Sequence, residues 1–369
     1  MRRRMLLLVG LASVASGCFD KPGFHGGDAA GAIDAPSDMA EPPNVMFVTS
    51  MPVELDTGPG GLDTTCTGIA NSAGHPGTFV AWVSTATIDA KSRLGSATGW
   101  VRPDGTPFAN TVEDLTSGHI YEPPSLDELD KPVDPDVPVA TGTHADGTDD
   151  SGHDCSNFTG GNNQIAVGFT DGASPIWTDA MIAPSCSETL FPIYCFEVDH
   201  RAYVPAPTTY GPLVFVSSDP FLPGTMTGFD TGATVADDIC NSEALAHHYP
   251  GAYSAVLALV AEQPLARIGG ASQHAWVRVD GVPVTRDFTT FDAPISVDAN
   301  GRYVDDQVYT GAQQANGLPD SYMFNCDDWT ETSGTPYVGF TTRGLETFSG
   351  TTVVDCQTAM PVYCAQAPF

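Results

Sequence analysis

Short apolar runs that pass into hydroxyl residues, Val45-Met46-Phe47-Val48-Thr49-Ser50 and Leu213-Val214-Phe215-Val216-Ser217-Ser218, predict two strands. The spacing then becomes helical in Ala236-Asp237-Asp238-Ile239-Cys240-Asn241-Ser242-Glu243-Ala244-Leu245-Ala246, ending before Pro250-Gly251. Asp104-Gly105 and Asp280-Gly281 each follow a Trp-Val-Arg-x segment and predict hairpin turns. With 38 Gly and 30 Pro, the chain excludes long helical bundles and coiled coils. A loop-rich α+β protein is expected.

At the N-terminus, Arg2, Arg3 and Arg4 precede an apolar run from Met5 to Val14, the layout of a secretory signal. That run is too short to span a bilayer. Ala15-Ser16-Gly17-Cys18 resembles a bacterial lipobox, which implies a lipoprotein signal peptide over 1–17 and a diacylglycerol on Cys18. Residues 18–44 are rich in Gly, Ala, Pro and Asp and form the expected flexible acidic tether to the membrane.

The other eight cysteines fall into two quartets, Cys66, Cys155, Cys186, Cys195 and Cys240, Cys326, Cys356, Cys364. Their intervals, 89, 31 and 9 against 86, 30 and 8, nearly coincide, so the chain contains one unit twice. Surrounding segments repeat as well. Trp100-Val101-Arg102 matches Trp276-Val277-Arg278, Asp154-Cys155-Ser156-Asn157-Phe158 matches Asn325-Cys326-Asp327-Asp328-Trp329, and Val167-Gly168-Phe169-Thr170 matches Val338-Gly339-Phe340-Thr341. Arg93 and Arg267 each lie 14 residues after an aromatic. The expected domains are 45–198 and 213–369, joined by a linker over 199–212. Four cysteines per unit allow three pairings.

Thr141-Gly142 or Thr310-Gly311, a turn at Ala145-Asp146-Gly147 or Ala315-Asn316-Gly317, and the following cysteine with its aromatic resemble the endostatin domain of collagens. Ser185-Cys186 followed by Cys195-Phe196-Glu197 is similar to both endostatin and the C-type-lectin-like fold it shares; the units also resemble a bacterial exported repeat family of unassigned function. The resemblance implies two tandem disulfide-stapled C-type-lectin-like (endostatin-like) domains. It implies nested bridges, Cys66 to Cys195 around Cys155 to Cys186, and Cys240 to Cys364 around Cys326 to Cys356. Each outer bridge would contribute about 4 to 5 kcal/mol by the chain-entropy account. Family activities carry over poorly. Endostatin's heparin contacts are arginine clusters, where this chain has separated Arg93, Arg102, Arg267 and Arg278, and no histidine lies near Val45 or Leu213 to match its zinc site.

Charge narrows the partners. Against 45 Asp plus Glu stand 14 Lys plus Arg, a net charge of -31, which repels nucleic acid, heparin-like polyanions and anionic headgroups. Asp56-Thr57-Gly58 and Asp230-Thr231-Gly232 resemble the doubled motif of pepsin-like proteases, in which two carboxylates share a proton. Pro59 and Ala233 depart from that motif, and both copies sit ten residues before a quartet cysteine, as equivalent loops of the repeat would. Asp146, Asp149, Asp150 and Asp154 form a candidate calcium loop. His144 and His153 lack a repeated ligand set for zinc, and four of the five tryptophans fall in framework positions. The expected function is therefore a non-catalytic, lipid-anchored extracytoplasmic binding or adhesion protein for a glycan or protein, with calcium as the candidate ion. The alternatives are an aspartic protease using Asp56 and Asp230, or a structural envelope spacer.

Overall fold

The computed structural model describes residues 41–369 except 162–163, 174, 184, 187–189, 226–231, 350 and 369. The expected signal peptide, Cys18, residues 18–40 of the tether and Asp230 lie outside the described residues. The first repeat runs through strands β1 (Asn44–Val48), β2 (Phe79–Ala81), β3 (Trp100–Val101), β4 (Pro107–Ala109), β5 (Pro138–Ala140), β6 (Ile165–Phe169), β7 (Met181–Ala183) and β8 (Tyr194–Glu197). The second contributes β9 (Leu213–Val216), β10 (Tyr253–Ala255), β11 (Trp276–Arg278), β12 (Pro283–Thr285), β13 (Gln307–Tyr309), β14 (Val338–Phe340) and β15 (Tyr363–Gln366). The main sheets have the same order, β2-β8-β1-β3-β4 and β10-β15-β9-β11-β12. In each, the first strand pairs antiparallel with the last, Phe47 opposite Cys195 and Phe215 opposite Cys364. The chain is thus a mixed α+β protein with small sheets.

One long helix packs on each sheet. Gly58–Ala73 has Pro59 in its first turn, buries Leu62, Cys66 and Ala70 at four-residue spacing, and stops at Gly74, whose φ of 92° is left-handed. Gly232–Ala246 presents a narrow face of Ala233, Ala236, Cys240 and Ala244, and Gly232 starts it where an added Cβ would lie 1.9 Å from the Trp329 carbonyl oxygen. Both helices are fastened by the same polar clamp. Asp63 accepts from Ala81 N at 2.9 Å and from the guanidinium of Arg93, whose Nε donates to Ala81 O at 3.1 Å. Asp237 accepts from Ala255 N at 2.8 Å and from Arg267 Nη2 at 2.7 Å.

Four disulfides join Cys66 to Cys195, Cys155 to Cys186, Cys240 to Cys364 and Cys326 to Cys356, the partners the family resemblance implied. Bridges of this kind persist in an oxidising, extracytoplasmic environment. Among the described residues no helix is long and apolar enough to cross a membrane. Each inner bridge starts from a turn absent from the sequence expectation: φ is positive at Cys155, Ser156, Asn157 and Phe158, and again at Cys326, Asp327, Asp328 and Trp329. Four successive left-handed L-residues cost roughly 1–2 kcal/mol each. The disulfide, the buried aromatic and a side-chain acceptor oppose that cost in both copies. Asn157 Oδ1 accepts from Ala86 N at 2.8 Å, and Asp328 Oδ1 from Val260 N at 2.7 Å.

All five tryptophans, Trp82, Trp100, Trp177, Trp276 and Trp329, are fully buried and form core. The glycine repeated in Val-Gly-Phe-Thr is a packing requirement: a Cβ on Gly168 would lie 1.9 Å from Trp177 O, and one on Gly339 1.8 Å from Thr347 O. Gly168→Ala and Gly339→Ala are each expected to cost at least about 2 kcal/mol by overpacking. Gly68→Ala, with open space in the middle of an exposed helix face, is expected to gain up to about 1 kcal/mol. Urea unfolding of the three variants checks both signs.

Candidate functional site

Equivalent residues of the two repeats meet each other. Ala173 N donates to Thr342 O at 2.7 Å and Gly344 N to Asp171 O at 3.4 Å, bracketing an antiparallel bridge between Gly172 and Arg343. In the numbering of the repeat these pairs are reciprocal, the signature of a two-fold contact. Arg343 fixes it, donating through Nε to Asp171 at 2.9 Å and through Nη2 to Pro135 O at 3.0 Å, with its guanidinium carbon 4.2 Å from the centroid of the Phe169 ring. A second seam joins the repeats where Tyr303 stacks on His119 at 4.7 Å and donates to Ile120 O. Residues 199–212 are packed too: Ala202 and Val204 are buried, and Pro207 O lies where a Gly281 Cβ would be.

Along this contact opens a cleft of about 550 Å³ lined by Phe288, Phe291, Phe348, Gln314, Asn316 and Asp171, among others. Beside it, the two repeats fill equivalent core positions with different residues. In the first repeat Trp82, Phe108, Trp177 and Phe196 pack ring against ring. Strand register and the loop over the glycine put Val256, Val284, Thr347 and Ala365 in those places in the second. Phe288, which also lines the cleft, packs edge-on to Trp276 at 5.0 Å. Phe291 stays half-buried, and Gln314 and Asn316 are exposed at the mouth.

A neighbouring cavity of about 400 Å³ shares Pro135, Asp171, Phe291 and Gly344 with the cleft and reaches Arg102 and Glu122. Arg102 is anchored inside, donating to Asp104 at 2.8 Å, Ser125 at 3.1 Å and Pro123 O at 3.2 Å. Arg278, fully buried, repeats these bonds with Asp280, Ser296 and Pro294 O. The four separated arginines are therefore internal struts. Glu122 is 4% exposed, and its carboxyl receives no hydrogen bond among the described residues; the nearest cation is Arg102 Nη1 at 4.0 Å. Burial pushes Glu122 up to about 7, reinforced by Asp292 and Asp104 and opposed by Arg102 and Arg278. The arginine is too distant to outweigh desolvation.

In the candidate calcium loop the four carboxylates have different surroundings. Asp146 is exposed and its Oδ1 accepts from Thr148 N at 3.0 Å. Asp149 is partly buried, with Oδ1 unpartnered among the described residues; burial and the carboxylates of Asp154, Asp150 and Asp89 hold its pKa above the usual range. Asp154 is buried behind the left-handed turn. Asp150 instead converges with His144 and Asp179. Asp56 is an exposed turn residue before the helix Gly58–Ala73. No protein-family model and no curated protein matches this chain.

Glu122 supplies a pH test of the cavity. Its folded-state value of about 7 lies above the ordinary 4.5, so the folded chain holds this proton more tightly than the unfolded chain. That contribution is fully present below about pH 4.5 and is lost as pH rises through about 7. Glu122→Gln should flatten the decline, gaining roughly 2–3 kcal/mol over the wild type at pH 8 and little at pH 4. Urea unfolding at both pH values reads the difference; parallel wild-type and variant curves would show that Glu122 is hydrated and ordinary.

Proposed function

We propose that this chain is an extracytoplasmic, lipid-anchored binding protein whose two C-type-lectin-like units hold a neutral saccharide in the cleft between them. The observation that carries the reading is the lining of that cleft. Half-buried Phe291 and the edge of Phe348 offer apolar faces for a sugar ring, while Gln314, Asn316, Thr289 and Thr290 offer both donors and acceptors for hydroxyls. A volume of about 550 Å³ is in the range of small-ligand sites. Asp171 at the cleft disfavours an anionic ligand. The lectin-like assignment is supported by paired terminal strands and nested disulfides in both units. The anchor is supported by the lipobox-like Ala15-Ser16-Gly17-Cys18.

Screening against an array of neutral oligosaccharides, followed by calorimetric titration of the best binder, tests the ligand class. Phe291→Ala and Asn316→Ala should each weaken binding at least tenfold, about 1.4 kcal/mol. Failure to retain any saccharide, or retention unaffected by both substitutions, would remove the cleft from consideration. Separately, Cys18→Ser should move the protein from the membrane fraction to the soluble fraction on cell fractionation. Continued sedimentation with membranes would exclude the thioether-linked lipid as the anchor.

A further inference from the structure

We propose that His144, Asp150 and Asp179 form a site for a divalent transition-metal ion of the zinc type, independent of the inter-repeat cleft. His144 stands between two carboxylates, its Nε2 3.6 Å from Asp150 Oδ1 and its Nδ1 3.5 Å from Asp179 Oδ2. These distances are too long for hydrogen bonds. An ion takes one of the two ring nitrogens, so one of these distances is comparable to the edge of a zinc tetrahedron, about 3.3–3.4 Å for ligands about 2.0–2.1 Å from the ion, and the other carboxylate stands across the ring. One ring nitrogen and one oxygen from each carboxylate can be chosen so that all three lie within 4.8 Å of one another. Closing them around one ion takes rotation of the half-exposed imidazole together with approach of the carboxylate on its far side.

Both carboxylates are already oriented from outside the ligand set. His153 Nδ1 lies 2.9 Å from Asp150 Oδ1, and Ala145 N donates to Asp179 Oδ2 at 3.0 Å. Such outer contacts position metal ligands and raise their affinity. The ligands come from two segments: His144 and Asp150 flank the turn at Asp146-Gly147, while Asp179 lies just before β7. An ion would cross-link them, and the half-exposed face of His144 leaves a coordination position open to water or a further donor. The neutral imidazole favours a borderline ion over calcium, which prefers six to eight oxygens. In the same loop, the buried, unpartnered Asp149 Oδ1 adds negative potential without joining the set.

Titration of the metal-stripped protein with Co²⁺, followed by visible absorption, and with Zn²⁺, followed by calorimetry and thermal unfolding, tests the assignment. The expected result is one ion per chain, intense cobalt bands of a four- or five-coordinate site, and a Tm raised by several degrees with Zn²⁺ and restored by chelator. His144→Ala and Asp179→Asn should abolish the cobalt bands while leaving the apo-protein Tm within about two degrees, as expected for partly exposed side chains. His153→Ala should weaken Zn²⁺ roughly tenfold or more. The proposal falls if no ion binds at 100 µM metal, if binding persists in His144→Ala, or if Ca²⁺ binds more tightly than Zn²⁺. No saccharide enters these measurements, so their failure and that of the cleft are distinguishable.

Discussion

Antiparallel pairing of the first strand with the last turns each repeat into a closed excursion, and the outer disulfide clamps the long helix onto that seam. Phe47 faces Cys195 across the strand pair while Cys195 is bonded to Cys66 on the helix. Phe215, Cys364 and Cys240 repeat the relation. Sheet, helix and chain ends are thereby held at one place, and the residues between them can depart widely without opening the core. The left-handed turns are tolerated for this reason. Their backbone cost falls on a segment whose two ends are already fixed, and the inner disulfide and a buried aromatic hold what remains.

Acidity and arginine usage fit this division of labour. The chain carries 45 Asp plus Glu against 14 Lys plus Arg, a surplus that repels polyanions. Arg93, Arg102, Arg267, Arg278 and Arg343 are turned inward, each paired with an Asp and bonded to backbone carbonyls. Guanidinium suits such positions because its several donors can be satisfied at once by a carboxylate and by backbone carbonyls from different segments. Where that satisfaction is incomplete, as at Glu122, the interior becomes sensitive to protons.

Much of this architecture was legible in the amino-acid order. The duplicated cysteine intervals, the Trp-Val-Arg-x-Asp-Gly hairpins and the aromatic-to-arginine spacing correspond to β3–β4, β11–β12 and the two Asp–Arg clamps. Each is a local or strictly repeated signal. The handedness of the Cys155 and Cys326 turns was not legible, because Ser, Asn and Asp at those positions are equally compatible with ordinary turns. Neither was the cleft, whose lining joins Pro135 and Asp171 of the first repeat to Phe288, Phe291 and Phe348 of the second, residues far apart in the chain. The convergence of His144 and Asp150 on Asp179 was missed because the third residue lies outside the acidic loop. Its signal would have been the pairing of β6 with β7, which brings the segment before Met181 back toward that loop.

The reciprocal hydrogen bonds around Gly172 and Arg343 bear on how the chain came to be. A contact in which each residue meets its own counterpart is what a single-unit ancestor would form with an identical copy of itself, as a homodimer. Joining two such copies end to end preserves the contact and removes its dependence on concentration. It also releases the halves from having to stay the same. The two copies now fill equivalent core positions with different residues, and the cleft is lined mostly by the second copy, an asymmetry that no symmetric pair could have confined to one side.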